Sequence, residues 1–138
     1  NLEGCERADW TKVDRELAAK LAGRLVKMLA TVSPGAKRGS TAPHAYAHLV
    51  AAEIGAAQPR TLANAFPRPV SERGDLLRNT YDAVRAHLED LDAMYGAVPR
   101  RAYAALEPAD ALGTVLGKRG PLAEVAGVVE AAIRDGGA

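Results

Sequence analysis

Three blocks between Met28 and Val70 decide the fold: MLATVSPGAK at 28–37, AYAHLVAAEI at 45–54 and TLANAFPRPV at 61–70. The first closes a helix at Pro34-Gly35, because a proline pushes the residue before it out of the helical region. A loop of small and basic residues follows: Lys37, Arg38, Gly39, Ser40 and Thr41. The second block alternates weakly between apolar and polar positions and predicts a strand. Gln58-Pro59 marks a turn, and Arg60 to Phe66 predicts a second strand, most simply paired antiparallel with the first. Pro67 and Pro69 end that strand and open another loop, which carries Arg68 and Arg73. Loops with positive charge and small residues on a rigid scaffold suit a polyanionic ligand.

Upstream, Val13, Leu17, Leu21, Leu25 and Leu29 recur every four residues, with Val26 and Met28 widening the stripe. This predicts an amphipathic helix from about Thr11 to Val32, opened by the capping-box spacing of Thr11 and Asp14. Downstream, Asp75 is positioned as the N-cap of a helix whose buried stripe is Leu77, Tyr81, Val84, Leu88, Leu91 and Tyr95, and Gly96 ends it. Arg101 to Leu106 reads as a short strand. Pro108 opens a helical turn, and Pro121 opens a last helix through Arg134, ahead of a Gly136-Gly137-Ala138 tail. The expected order is α-β-β-α-β-α. That is an α+β domain, a ferredoxin-like βαββαβ unit without its first strand, which is also the topology of the RNA-recognition motif. The missing strand is expected before Asn1, in a longer chain of which this is the C-terminal part, or in the other half of a split protein.

Bulk composition narrows the function. A length of 138 residues predicts one domain. With 48 % apolar but only 4 % aromatic residues, the core must be built mainly from Ala, Leu and Val. Eighteen Lys and Arg against 17 Asp and Glu argue against a uniformly basic nucleic-acid binder and leave room for a local basic surface. The single cysteine, Cys5, cannot form an internal disulfide, so a reducing cytoplasm is the expected compartment. No secretory signal and no long apolar run is visible.

Catalytic and metal-binding patterns are weak. His44, His48 and His87 lack the number and spacing of a metal set, and no nucleophile elbow or Cys-His signature is present. Gly113 to Arg119 lacks the spacing of a phosphate-binding loop and its Ser or Thr after the lysine. The charges of Arg85 to Asp92 alternate in sign, as on a solvated helix face. Phe66, the one phenylalanine, reads more readily as core than as a platform for an unpaired base. No cofactor, metal or catalytic residue is therefore expected. The basic loop Lys37-Arg38 has a structural alternative, since cations after a helix C-terminus interact well with its dipole. For Arg68 and Arg73 the alternative is ordinary solubility.

The order MLAT-x-x-PGAK, a gap of some two dozen residues, then LANAF-x-x-PV resembles the C-terminal half of the CasC family, the repeated backbone subunit of the type I-E CRISPR surveillance complex, Cascade. The similarity extends over about residues 1–106, through Asn1-Leu2, the helix from Asp75 to Gly96 with its Tyr81 and Tyr95, and the strand after it; residues 107–138 match weakly. The resemblance implies an RNA-recognition-like palm that grips CRISPR RNA, stacks head to tail with further copies of itself among other Cascade subunits, and holds the guide for pairing with target DNA. Such a protein is a scaffold and not a nuclease, and base pairing reads the sequence. By the same resemblance Lys37 corresponds to the PGAK lysine, and Arg68 and Arg73 keep the positive charge of the loop after ANAF; with Arg38 they make up the expected RNA- or DNA-binding set. The family's first palm strand, helical insertion and thumb hairpin have no counterpart here.

Two rivals remain open at this level. One is a ferredoxin-like protein-interaction module with no direct RNA contact, and the other is a small enzyme of ferredoxin-like fold, which the lack of a convergent acid/base or metal cluster disfavours. A sheet lacking its first strand would also leave an open edge. It would expose the Leu17, Leu21, Leu25 and Leu29 stripe, so self-association is expected.

Overall fold

The computed structural model describes residues 14–32, 46–107 and 109–136. The chain is mixed α+β, with four helices and a two-stranded antiparallel sheet among the described residues, compatible with a partial ferredoxin-like domain. Helix α1 spans Arg15–Thr31. The Asp14 carboxylate caps it by accepting from the amides of Glu16 and Leu17 at 2.9 and 3.2 Å. Thr11, the expected partner in a capping box, lies outside the described residues, as do His44 and Cys5. Strand β1, Leu49–Ile54, arises from the alternating block. Helix α2, Leu76–Tyr95, has Asp75 as N-cap and Gly96 at φ 88° as its terminator, as the sequence predicts. Strand β2, Arg100–Ala105, precedes helix α3, Asp110–Leu116, and helix α4, Leu122–Arg134.

The predicted strand over Arg60–Phe66 does not form. Residues Ala63–Ala65 make a single 3₁₀ turn instead, and β1 pairs with β2, in register Leu49↔Ala105 to Ile54↔Arg100. Local chemistry explains the difference. Thr61 Oγ1 accepts from the Ala63 amide at 3.2 Å, a side-chain turn that competes with a sheet ladder. Pro59 and Pro67 bracket the segment and cannot donate to a ladder.

The core lies between the sheet and α2. Tyr81, Val84 and Leu88 of α2 pack with Tyr103, Ala109, Leu112 and Leu116, and Leu49, Ala51, Leu62 and Ala65 join at the margin. Tyr95, expected in the same stripe, is exposed. Helix α4 packs on both strands from the other face, and α1 packs on α4. Ala19, Gly23 and Ala30 of α1 are buried, as are Val125, Ala126 and Ala132 of α4, and the Glu130 side chain lies close against Gly23. Leu17, Leu21, Leu25 and Leu29 of α1 are exposed, as expected for that stripe. The Leu106 amide donates to the His48 carbonyl at 3.0 Å, which fixes the ladder's phase. Leu49, Ala51 and Glu53 then turn their backbone groups outward. Among the described residues these make no backbone hydrogen bond on the outer edge of β1.

Candidate nucleic-acid interface

Residues 60–75 run from the end of the sheet to the start of α2, and both ends of this segment are pinned. At its start Arg60 donates through Nε to Glu53 at 3.1 Å and through Nη1 to Asp92 at 3.1 Å, with Nη2 also on Glu53. Arg101 completes the cluster, donating through Nε to Glu53 at 2.9 Å, through Nη1 to Asp92 Oδ2 at 2.6 Å and to the Val115 carbonyl at 2.8 Å, and through Nη2 to Asp92 Oδ1 at 2.5 Å. The side chains of Arg101, Asp92 and Glu53 are 9, 19 and 21 % exposed, so solvent screens them little. Two cations and two carboxylates alternate, and the cluster is neutral. It ties β1, β2, α2, α3 and the loop to one another beside a cavity of about 240 Å³ that Leu62, Leu88 and Leu116 also line.

At the other end, Asn79 Nδ2 on α2 donates to the carbonyls of Ser71 and Arg73 at 2.8 and 3.0 Å. Asp75 Oδ1 accepts from the amides of Leu77 and Arg78 at 3.0 and 3.1 Å, and Gly74 sits at φ 83° between them. Asp75→Ala is expected to cost about 1 kcal/mol of stability through the lost cap, read as a lower midpoint in urea. Leu62 and Ala65 reach back into the core margin. The part between the anchors, Phe66 to Arg73, is largely turned outward.

Arg68 and Arg73 are exposed, and neither forms an ion pair among the described residues. Arg68 borders a shallow groove with Pro67, Pro69, Asn79 and Asp82. Lys37 and Arg38, the other half of the expected basic surface, lie outside the described residues. Phe66 is 41 % exposed and is not a core residue, contrary to expectation. The segment is a turn and not a strand, so its ring has no sheet face to cover. His48 is exposed, while His87 faces the Thr61 carbonyl at 3.4 Å. No group of His, Cys, Asp and Glu suited to a metal occurs among the described residues.

Sequence inspection missed Arg60 and Arg101. Glu53 and Arg101 are direct cross-strand partners, a signal that exists only once the β1–β2 register is known. The Arg101 guanidinium, helped by Arg60, holds the Asp92 carboxyl below its ordinary value of 3.8. A depressed folded-state value means that Asp92 stabilises the fold above its unfolded value, and that this contribution is lost as pH falls through the folded value. Thermal midpoints measured across the acid range should therefore decline below about pH 3.8, and Asp92→Asn should remove part of that decline. Burial raises the hydroxyl pKa of both Tyr81 and Tyr103.

The fold and its exposed loop belong to a protein with CRISPR-associated ancestry. The chain is a member of the CT1975-like family of CRISPR-associated (Cas) proteins, whose family model matches residues 1–126, in keeping with the CasC resemblance. A search of curated proteins finds no match. No helix among the described residues is long and apolar enough to cross a membrane.

Proposed function

We propose that this chain is a guide-RNA-binding backbone subunit of a Cascade-type surveillance complex, acting in the cytoplasm as a non-enzymatic scaffold in antiviral defence. Its partners are CRISPR RNA, target DNA reached through the complex, other Cascade subunits and further copies of itself. Membership of a Cas family supports a CRISPR role. The observation that carries RNA contact is the segment Phe66–Arg73, which holds the single exposed phenylalanine two residues from Arg68 on a loop clamped at both ends. Aromatic faces stack on unpaired bases and arginines neutralise phosphates, so the two groups together suit single-stranded RNA. Lys37 and Arg38 of the PGAK loop are assigned to the same RNA.

Arg68→Ala combined with Arg73→Ala should weaken binding of guide RNA and flatten its dependence on log salt by about 1.4 units, the share of two phosphates on a single strand. Fold stability should change by no more than about 0.5 kcal/mol, since the charges are exposed. Phe66→Ala should weaken binding roughly tenfold by losing about 1.4 kcal/mol of stacking, leaving the salt slope unchanged. Anisotropy titrations at several salt concentrations measure both. An unaltered affinity and slope in the arginine variant would sink the RNA assignment for this loop. The exposed face of α1 favours a second reading, an interaction module without RNA contact. RNA binding that is absent, or insensitive to salt, would select it.

A further inference from the structure

The loop from Phe66 to Arg73 fixes the backbone of its two arginines, each through a different device. Arg68 stands between Pro67 and Pro69. A proline confines the residue before it to extended conformations, so covalent geometry sets the root of the Arg68 side chain. Arg73 has no proline after it and is held by hydrogen bonds instead. Its amide donates to Ser71 Oγ at 3.2 Å, and its carbonyl accepts from Asn79 Nδ2 at 3.0 Å. Asn79 Nδ2 also donates to the Ser71 carbonyl at 2.8 Å, which ties that turn to α2. Side chains therefore satisfy both polar groups of the Arg73 backbone, in an exposed segment where water could do so.

The helix does not require these bonds. Asp75 already caps α2, and the Asn79 amide donates to the Asp75 carbonyl at 2.9 Å. The Asn79 side chain is turned to the loop, where its one amide nitrogen supplies donors to two carbonyls. We infer that Asn79, with Ser71, is a positioning residue that presents Arg73 to an RNA phosphate, an assignment that rests on the RNA reading of this loop. An ordered loop avoids the entropy of being fixed during association. For the backbone of a single residue that is worth roughly tenfold in affinity. Asn79 acts through Arg73 and needs no RNA contact of its own. Arg68 is independent of it, because the prolines hold Arg68 whether or not Asn79 is present.

Asn79→Leu removes the donors, keeps the branched shape of the side chain and suits a helix. Anisotropy titrations with a labelled single-stranded oligouridine should show about tenfold weaker binding at an unchanged salt slope, since Arg73 still neutralises a phosphate. The loss should vanish in an Arg73→Ala background and persist in full in an Arg68→Ala background. A residue that merely stabilised the fold would weaken binding alike in both. Ser71→Ala, which trims one hydroxyl in the exposed loop, should repeat the pattern with a loss of about threefold, and it decides the question if Asn79→Leu does not fold. Failure of the RNA reading shows separately: Arg73→Ala alone would leave affinity and slope at wild-type values, overturning that reading for Arg73 and the role of Asn79 with it. Where Arg73→Ala does weaken binding, wild-type affinity in Asn79→Leu, or an equal loss in both arginine backgrounds, would overturn the positioning role alone.

Discussion

Arg101→Met should destabilise the protein by about 3 kcal/mol, because it leaves two largely buried carboxylates to share the single guanidinium of Arg60. Arg101 donates to Glu53, to Asp92 through both terminal nitrogens and to the Val115 carbonyl, so one substitution strips partners from β1, α2 and α3 together. Methionine keeps the length of the aliphatic stem, and the loss therefore reports on charge and hydrogen bonding more than on packing. Thermal unfolding should show it as a fall of about 10 °C in the midpoint. The companion change Glu53→Gln with Asp92→Asn in the Arg101→Met background should recover much of the loss, since the uncompensated charge is then gone. A midpoint within a degree or two of wild type for Arg101→Met alone would mean that the cluster is hydrated and contributes as little as a surface pair. A large loss would also free the start of the 60–75 loop. RNA affinity should then fall even though Arg101 faces the interior.

Some elements of this fold are written locally, and others are not. Helix α2 is legible from Asp75 and Gly96 alone, because a cap and a terminator act on the nearest turn. Strand β2 and helix α4 follow from similar local signals. Arg60–Phe66 is different. Its apolar alternation matches a strand, but Thr61 satisfies a nearby amide, and Arg60 is held by Asp92, 32 residues further on. A pairing at that separation leaves no periodic trace. Removing the strand also decides the fate of Phe66, which reaches the surface where a strand would have placed it on a sheet. The candidate site was half legible. Arg68 and Arg73 are visible as charges beside prolines, while the clamp that holds their loop depends on the β1–β2 register. Composition gives no hint of a nucleic-acid partner, since overall charge is near neutral, and the expectation of one comes from the family resemblance alone.

Helix α1 carries the other large expectation, and it runs against the usual rule that the largest apolar residues mark the buried face. Ala19→Phe should cost about 3 kcal/mol, at the upper end for overpacking, by driving α1 away from α4. Ala19 is fully buried where α1 packs on α4, so a ring there has no gap to enter. Gly23 sits one turn on, and a Cβ at that position would run into the Glu130 side chain, which shows how closely the two helices approach. The ion pair of Arg134 Nε with Glu16 at 2.6 Å spans the same two helices, but both side chains are about half exposed, and it cannot hold them together against a steric wedge. Leu21→Ala, two residues along the chain, should change the stability of the monomer by less than about 0.5 kcal/mol. The comparison must be made where any dimer is dissociated, at low protein concentration, because mass action would otherwise add the lost association to the Leu21 variant. Urea unfolding of the two variants under those conditions measures the difference directly. If Leu21→Ala proves the costlier change, the leucine face of α1 packs inward in the folded chain, and the face of Ala19 and Gly23 is the one left for a partner.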